Sequence, residues 1–98
     1  MMAELLSGTQ ADEALTKLSG WTRNGAEIER TAELPSFPKA IDVVDKVAEL
    51  AEAADHHPDI DIRWRKLTFR LSTHSAGGLT PKDFQLAARI DEVLEAAR

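Results

Sequence analysis

Residues 36–73 read SFPKAIDVVDKVAELAEAADHHPDIDIRWRKLTFRLST, a long helical pattern followed by two short alternating ones. Ser36 is a suitable N-cap, and Pro38 is tolerated in the first turn because no backbone N–H is needed there. Apolar residues then recur at helical spacing until Pro58 ends the run. The spacing predicts a helix over 37–54, with an apolar face formed by Phe37, Ile41, Val44, Val47, Ala48 and Ala51.

Two runs of alternating apolar and polar residues follow this helix. The apolar residues have even numbers in the first run and odd numbers in the second. The first run has its apolar residues at positions 60, 62 and 64, and the second has them at positions 67, 69 and 71. In one continuous strand the two sets would face opposite sides of a sheet. The change of parity at Arg65-Lys66 therefore predicts a bulge or a tight turn between strands at about 60–64 and 67–73.

The segment before residue 36 predicts a short helix and a β-hairpin. Thr9-Gln-Ala-Asp12 resembles a capping box with Asp in place of Glu, so we expect a helix at about 10–19. Asn24-Gly25 is the strongest two-residue hairpin signal, with strands at about 21–24 and 26–34 on either side.

The segment after residue 73 predicts a flexible corner and a last helix. Gly77-Gly78 forms the corner, and Thr80, Pro81 and Asp83 suit the N-cap, first and third positions of a helix. The element order is then α-β-β-α-β-β-α. This order predicts one α+β domain over 1–98, a two-layer fold with an antiparallel sheet and helices on one face.

Composition excludes several classes of protein. Twelve Lys and Arg against seventeen Asp and Glu give a charge of −5, which argues against nucleic-acid binding because such binding depends on neutralising phosphates. The absence of cysteine excludes disulfide frameworks, thiol nucleophiles and cysteine-based metal sites. No apolar run approaches the roughly 18–20 residues of a membrane span, and the N-terminus does not resemble a signal peptide. We therefore expect a cytoplasmic protein without a membrane partner.

Three histidines are the main side chains that titrate near neutral pH. His56 and His57 lie where the long helix ends, and two neighbouring imidazoles on irregular backbone can point in different directions. His74 lies at the far end of the second alternating run. Antiparallel folding allows the two places to meet at one edge of the sheet, which the sequence alone leaves open.

Each of these residues also has a simpler interpretation. A histidine at a helix C-terminus is commonly a solvated residue favoured by the helix dipole, and an acid such as Asp83 is favoured at a helix N-terminus. Trp21 and Trp64 are by default core or sheet-face residues. Three histidines could bind zinc, but adjacent His-His is not a usual chelating spacing, so no metal site is predicted.

The spacing of these residues resembles a known family, the pterin-4a-carbinolamine dehydratases. The resemblance rests on the segment Glu52-Ala-Ala-Asp-His56-His57-Pro58 and on three residues that follow it. Trp64 comes after five intervening residues, His74 after nine more and Asp83 after eight more. Gly20-Trp21, Ile28, Arg30, Leu71–His74 and Gly78–Thr80 extend the resemblance over most of the chain. The sequence departs from the family pattern at three places. Trp64 stands where Tyr is common, Ile60 replaces an aromatic of some members, and Ala32 and Leu34 replace aromatics of the second strand.

The resemblance implies a dehydratase that converts 4a-hydroxytetrahydropterin into quinonoid dihydropterin and water. Such an enzyme recycles the pterin cofactor of aromatic amino acid hydroxylases and itself needs no metal or other cofactor. The implied fold is a four-stranded antiparallel sheet with helices on one face, and the implied assembly is a homodimer or homotetramer.

Histidines suit this reaction because general acid–base catalysis works best when the pKa of the group lies near the operating pH. We expect His56 and His74 to act at the hydroxyl and His57 to orient the pterin, with exchanged roles for His56 and His57 as the alternative. The resemblance adds five substrate-binding residues. Glu52 would bind the amino-pyrimidine edge or orient a histidine, and Ser72 and Thr73 would offer backbone groups. Asp83 would tune or hold His74 in addition to capping its helix, and Trp64 is the aromatic of the pattern.

Other functions also stay open at this point. Some relatives are dimerisation cofactors of a homeodomain transcription factor, so a non-catalytic role in binding a protein partner is the main alternative. An assembly role for a pterin enzyme and a metal-dependent hydrolase are the others. The combination of Glu52, His56, His57, His74 and Asp83 favours the enzyme, because a scaffold needs none of them together.

Overall fold

The computed structural model describes residues 4–98. The elements are α1 (Gly8–Leu15), β1 (Thr22–Asn24), β2 (Glu27–Glu33), α2 (Phe37–Ala54), β3 (Asp59–Arg63), β4 (Lys66–Leu71), a 3₁₀ turn (His74–Ala76) and α3 (Pro81–Ala96). Their order confirms the predicted α+β fold. The single domain expected over 1–98 stays a prediction, and residues 1–3 of it lie outside the described residues.

The four strands form one antiparallel sheet in the order β1-β2-β4-β3. Alternate residues of β2 and β4 face the helices and build the core, as the fully buried Ile28, Leu67 and Phe69 show. Their neighbours form the open face, which is polar: the hydroxyls of Thr31 and Thr68 are 2.8 Å apart there. In the part of the chain that the structure describes, the sheet therefore has helices on one face only, as predicted.

Both hairpins close through two-residue turns. Asn24 pairs with Glu27, so the first turn consists of Gly25 and Ala26, one residue later than predicted, with Gly25 at a positive φ of 64°. The second turn consists of Trp64 and Arg65, which confirms the tight turn that the change of parity predicted. Because the turn reverses the chain, the apolar residues of β3 and β4 face the same side.

The first helix begins earlier than predicted. Its N-cap is Ser7, whose hydroxyl accepts the Gln10 N–H at 3.1 Å, while the Gln10 side chain accepts the Ser7 N–H at 2.9 Å. The capping box is therefore Ser7 to Gln10 and not Thr9 to Asp12. Asp12 instead receives a hydrogen bond from Arg23 of β1 at 2.8 Å, which lowers its pKa. What this pair adds to stability is present at neutral pH and is lost as acid protonates Asp12.

The second helix has the predicted bounds but a rotated buried face. Ser36 caps it by accepting the Lys39 N–H at 3.2 Å. Phe37 and Ala48, which were expected inside, are exposed. The helix packs through a neighbouring stripe at helical spacing, Ala40, Val43, Val47 and Ala51.

This arrangement brings two loops to one end of the molecule. The loop after α2, residues 55–58, and the loop between β4 and α3, residues 72–80, lie at the same end because β3 and β4 are antiparallel neighbours. The tip of the β3–β4 hairpin lies at the opposite end. Within residues 4–98, no helix is both long and apolar enough to cross a lipid bilayer.

Candidate active site

The backbone at the end of α2 sends the two adjacent histidines in different directions. Asp55 caps the helix in the left-handed conformation, with φ 50° and ψ 45°. After this reversal the side chain of His56 is only 9% exposed, whereas that of His57 is 58% exposed. The chain thus holds one imidazole inside the protein and one at its surface, which agrees with the expectation that the two can point in different directions.

Asp83 binds the buried imidazole. It is the third residue of α3 and is completely buried. Its Oδ1 lies 2.6 Å from Nε2 of His56, and its Oδ2 accepts the Thr73 hydroxyl at 2.8 Å and the Thr80 N–H at 2.9 Å. The Thr73 and Thr80 hydroxyls are 2.8 Å apart, so Thr80 donates to Thr73 while Thr73 donates to Asp83. We call these four residues the Asp83 network.

The network assigns the proton of neutral His56. An ionised carboxylate only accepts hydrogen bonds, and Asp83 has three donors around it. Nε2 of His56 therefore carries the proton, and Nδ1 keeps its lone pair. Nδ1 has no hydrogen-bond partner among residues 4–98. Among these residues only Arg65 has a fully buried side-chain nitrogen or oxygen without a partner, so Nδ1 of His56 is open to solvent.

The prediction that Asp83 holds His74 is wrong. His74 is exposed at the start of the 3₁₀ turn, and the neighbouring Thr73 takes the position beside the carboxylate. The residue that Asp83 holds is His56, which lies 27 positions away along the chain. Even so, His74 directly follows a member of the network, so the structure brings His56 and His74 to the same end of the sheet.

His57 and Glu52 form a second pair at the surface. Nε2 of His57 lies 2.7 Å from Oε1 of Glu52, one helical turn earlier. Both side chains are more than half exposed, so water can compete for this contact. Of the two roles predicted for Glu52, the structure supports the orientation of a histidine, and contact with the pterin stays a prediction.

The backbone groups of Thr73 already have partners within the protein. Its N–H donates to the Gly78 carbonyl at 2.9 Å, and its carbonyl accepts from the N–H groups of Ala76, Gly77 and Gly78. These bonds form the turn before α3, and the expected contact of the Thr73 backbone with a pterin ring stays a prediction. Ser72 is half-buried and donates its hydroxyl to the Ala26 carbonyl at 2.7 Å, and its contact with a ligand stays a prediction.

Trp64 does not join the histidines within one chain. It lies in the β3–β4 turn, separated from His57 by the length of β3, about 16 Å for five residues. Its side chain is exposed, and the Arg65 guanidinium lies 4.7 Å from the ring centroid. Trp64 is therefore not placed beside the histidines of its own chain, and its predicted role in substrate binding stays a prediction.

A cleft of about 400 Å³ opens beside His56, between the end of α2 and the start of α3. We call it the α2–α3 cleft. The sequence analysis missed it, although the spacing of the α3 residues, i, i+3, i+4 and i+7, places them on one helix face. No three acids or histidines within residues 4–98 are placed to hold a metal ion. Besides His56, the lining residues are Leu50, Ala53, Ala54, Lys82, Gln85, Leu86 and Arg89.

Comparison with known proteins identifies the family. The family described as pterin 4 alpha carbinolamine dehydratase matches residues 4–93 of this chain. The chain belongs to this family. A member of the dehydratase family from Roseiflexus castenholzii is 64% identical over 93 residues, which cover 95% of this chain and 100% of that protein. A member from Nocardia farcinica is 62% identical and covers 95% and 98% of the two chains.

Solved structures agree with this assignment. The crystal structure of a transcriptional coactivator/pterin dehydratase from Brucella melitensis has a TM-score of 0.90 and 28% identity, covering 93% of this chain and 99% of that one. A pterin dehydratase-like RuBisCO assembly factor of the alpha-carboxysome has a TM-score of 0.63 and 19% identity, covering 76% and 86%. The second likeness concerns the fold alone.

Proposed function

We propose that this protein dehydrates 4a-hydroxytetrahydropterin to quinonoid dihydropterin and water. The observation that carries the proposal is the buried pair of His56 and Asp83 beside an open cleft. Membership of the dehydratase family supports it. A cytoplasmic location and a role in recycling the cofactor of aromatic amino acid hydroxylases belong to the same proposal.

The reaction needs one proton delivered and one removed. The C4a–O bond breaks, and a proton turns the departing hydroxyl into water. Loss of the N5 proton leaves its electron pair in a C4a=N5 double bond. A group that exchanges protons near neutral pH serves both steps, and such catalysis contributes about 10²- to 10⁴-fold in rate.

His56 is the residue best placed for this exchange. Its Nδ1 is free to take or give a proton, while Asp83 accepts from Nε2 and fixes the orientation of the ring. When the ring is protonated, the adjacent carboxylate stabilises the imidazolium. The burial of His56 and the exposure of His57 favour His56 over His57 as the acid–base group.

The remaining histidines have supporting roles in this proposal. His74 is the second acid–base group, exposed at the same end of the sheet as His56. His57, oriented by Glu52, binds the pterin from the surface side. Ser72, which follows β4 at this end, borders the same region.

The proposal is tested by following the decay of 4a-hydroxytetrahydropterin in the ultraviolet with and without protein. We expect saturable acceleration over the spontaneous reaction, unaffected by a metal chelator. Decay at the spontaneous rate would overturn the dehydratase proposal.

A protein-binding role is the second candidate, because the Brucella melitensis structure is that of a coactivator as well as a dehydratase. The two candidates make different demands on the Asp83 network. Binding of a partner protein does not require a particular ring nitrogen of His56 to be free, whereas the proposed proton transfer requires a free Nδ1. A protein that does not accelerate the decay but associates with a partner protein would favour this second role.

We also propose that the protein forms a homodimer or homotetramer. Three large apolar side chains, Phe37, Ile62 and Trp64, are between 43% and 70% exposed. They lie at the end of the molecule opposite the histidines, since Leu34, shortly before Phe37, bonds to Arg65 in the hairpin turn. Among residues 4–98, strand β3 also leaves one edge of the sheet unpaired. Exposed apolar surface next to an open edge favours association with another copy.

A further inference from the structure

We propose that the α2–α3 cleft receives the substituent at C6 of the pterin and selects an anionic one, a carboxylate or a phosphate ester. Lys82 and Arg89 are the residues that would make this selection. The proposal rests on the proposed function, because it takes the pterin as the occupant of the site.

The charge of the cleft differs from the charge of the whole protein. The chain has a net charge of −5, yet the two lining residues with formal charge, Lys82 and Arg89, are both positive. No Asp or Glu lines the cleft, and the nearby Asp83 is completely buried behind His56. A negative group is therefore attracted to this part of an otherwise acidic surface.

The positions of the two cations match a ligand that extends from the reacting centre. Lys82 is the second residue of α3, next to Asp83, and lies near the positive end of the helix dipole. Arg89 lies two turns further along the same face, about 10 Å from Lys82 along the helix axis. A molecule that reaches from His56 along the cleft thus passes both cations.

Arg89 can exchange its present partner for a ligand. Its guanidinium lies 3.5 Å from Glu92, and both side chains are more than half exposed. Surface pairs of this kind contribute little free energy, about 0–1 kcal/mol. An anion placed between Arg89 and Lys82 therefore meets only weak competition from Glu92.

His56 links the cleft to the chemistry. It is more than nine-tenths buried, borders the cleft, and keeps its Nδ1 free of protein partners within residues 4–98. In the pterin ring only N5 separates C4a from C6. When C4a lies against His56, a substituent on C6 is therefore close enough to enter the cleft, whose volume of about 400 Å³ suits a small ligand.

The test compares the binding of two unreactive pterins by their fluorescence. We expect 6-carboxypterin to bind more tightly than 6-methylpterin, with a preference that shrinks as NaCl is raised. Arg89→Gln and Lys82→Gln should each reduce this preference about fivefold and leave the binding of 6-methylpterin nearly unchanged. Arg63→Gln is the matched control, because Arg63 is also exposed beside a surface carboxylate, Asp61, but lies at the other end of the molecule.

The outcomes separate this proposal from the proposed function. Equal binding of the two pterins, no binding of either, or a preference that survives both cleft substitutions would overturn the cleft proposal. If the preference depends on Lys82 and Arg89 but the protein has no dehydratase activity, the cleft proposal is supported and the dehydratase proposal is overturned. If the protein dehydrates carbinolamines with neutral and with anionic C6 groups at the same KM, the dehydratase proposal is supported and the cleft proposal is overturned.

Discussion

Asp83 accepts three hydrogen bonds without any contact with water, so a change of one atom in its side chain affects both folding and chemistry. In Asp83→Asn an amide N–H₂ replaces one carboxylate oxygen. This N–H₂ cannot accept a hydrogen bond, so one of the three buried donors loses its acceptor. We expect unfolding to become easier by about 1–3 kcal/mol. We also expect kcat to fall by about 100-fold, because the free nitrogen and orientation of His56 are no longer fixed.

Two measurements separate these effects of Asp83→Asn. Urea unfolding reports the stability, and the pH dependence of kcat on the folded variant reports His56. If Asp83 acts only in folding, the shape of the pH profile stays as in the wild type. A shifted profile in a folded protein is the result expected of a positioning residue.

A second carboxylate, which is partly buried, has a structural role. Oδ1 of Asp91 accepts from Nε1 of Trp21 at 2.8 Å and from Arg30 at 2.6 Å, and so joins α3 to the sheet. A Cβ on Gly20 would lie 2.9 Å from the Arg30 side chain, so the glycine leaves room for the guanidinium that Asp91 binds.

Removal of this carboxylate should destabilise the fold. We expect Asp91→Ala to lower the free energy of unfolding by about 1–3 kcal/mol, because two partly buried donors lose their acceptor. Glu95→Ala is the control on the same helix, since Glu95 pairs with Arg98 in solvent. Equal urea midpoints for the two variants would show that the Asp91 contacts do not stabilise the protein.

At the scale of elements, the β3–β4 turn has an unusual residue in an unusual conformation. Trp64 has a φ of 55°, in the left-handed region that Asn adopts readily and β-branched residues avoid. We expect Trp64→Asn to be more stable than Trp64→Val by about 1 kcal/mol. At Ile62, in the extended strand, the same pair of substitutions should give the opposite order, because Val suits strands. Thermal unfolding of the four variants measures both orders of stability. If the Val variant is more stable than the Asn variant at both positions, the left-handed conformation of residue 64 does not determine which residues it accepts.

The elements that were predicted well are those set by neighbouring residues. Ser36 and Pro58 define the ends of α2, and the parity change at Arg65 defines the second hairpin, because caps, prolines and alternation act within a few positions. The buried face of α2 was predicted only in part, because Phe37 and Ala40 begin equally plausible stripes that share Val47 and Ala51. Only packing against the sheet decides between them.

The site was predicted less completely for the same reason. Local patterns allow His56 and His57 to point in different directions, and they allow His56 and His74 to meet at one end of the sheet. The partner of Asp83 does not follow from local patterns, since a contact over 27 positions depends on how α3 packs beside α2. Nothing local in the sequence indicates that the Thr73 backbone is used within its own turn, or that Trp64 lies a strand away from the histidines.

At the scale of the whole molecule, association should depend on the end opposite the histidines. Ile62→Lys places a charge on the open strand β3, where the side chain is 43% exposed and folding tolerates it. We expect sedimentation velocity to show a smaller assembly than the wild type forms, because a charge at a strand edge opposes pairing. An unchanged assembly would show that copies meet elsewhere.

The central claim is that the pair of His56 and Asp83 carries the proton transfer of a dehydratase. The most direct test compares His56→Ala and His57→Ala in the ultraviolet assay of 4a-hydroxytetrahydropterin decay. We predict that His56→Ala lowers kcat by about 100-fold or more, whereas His57→Ala acts mainly by raising KM. A His56→Ala variant that is folded and keeps near wild-type kcat would contradict the claim.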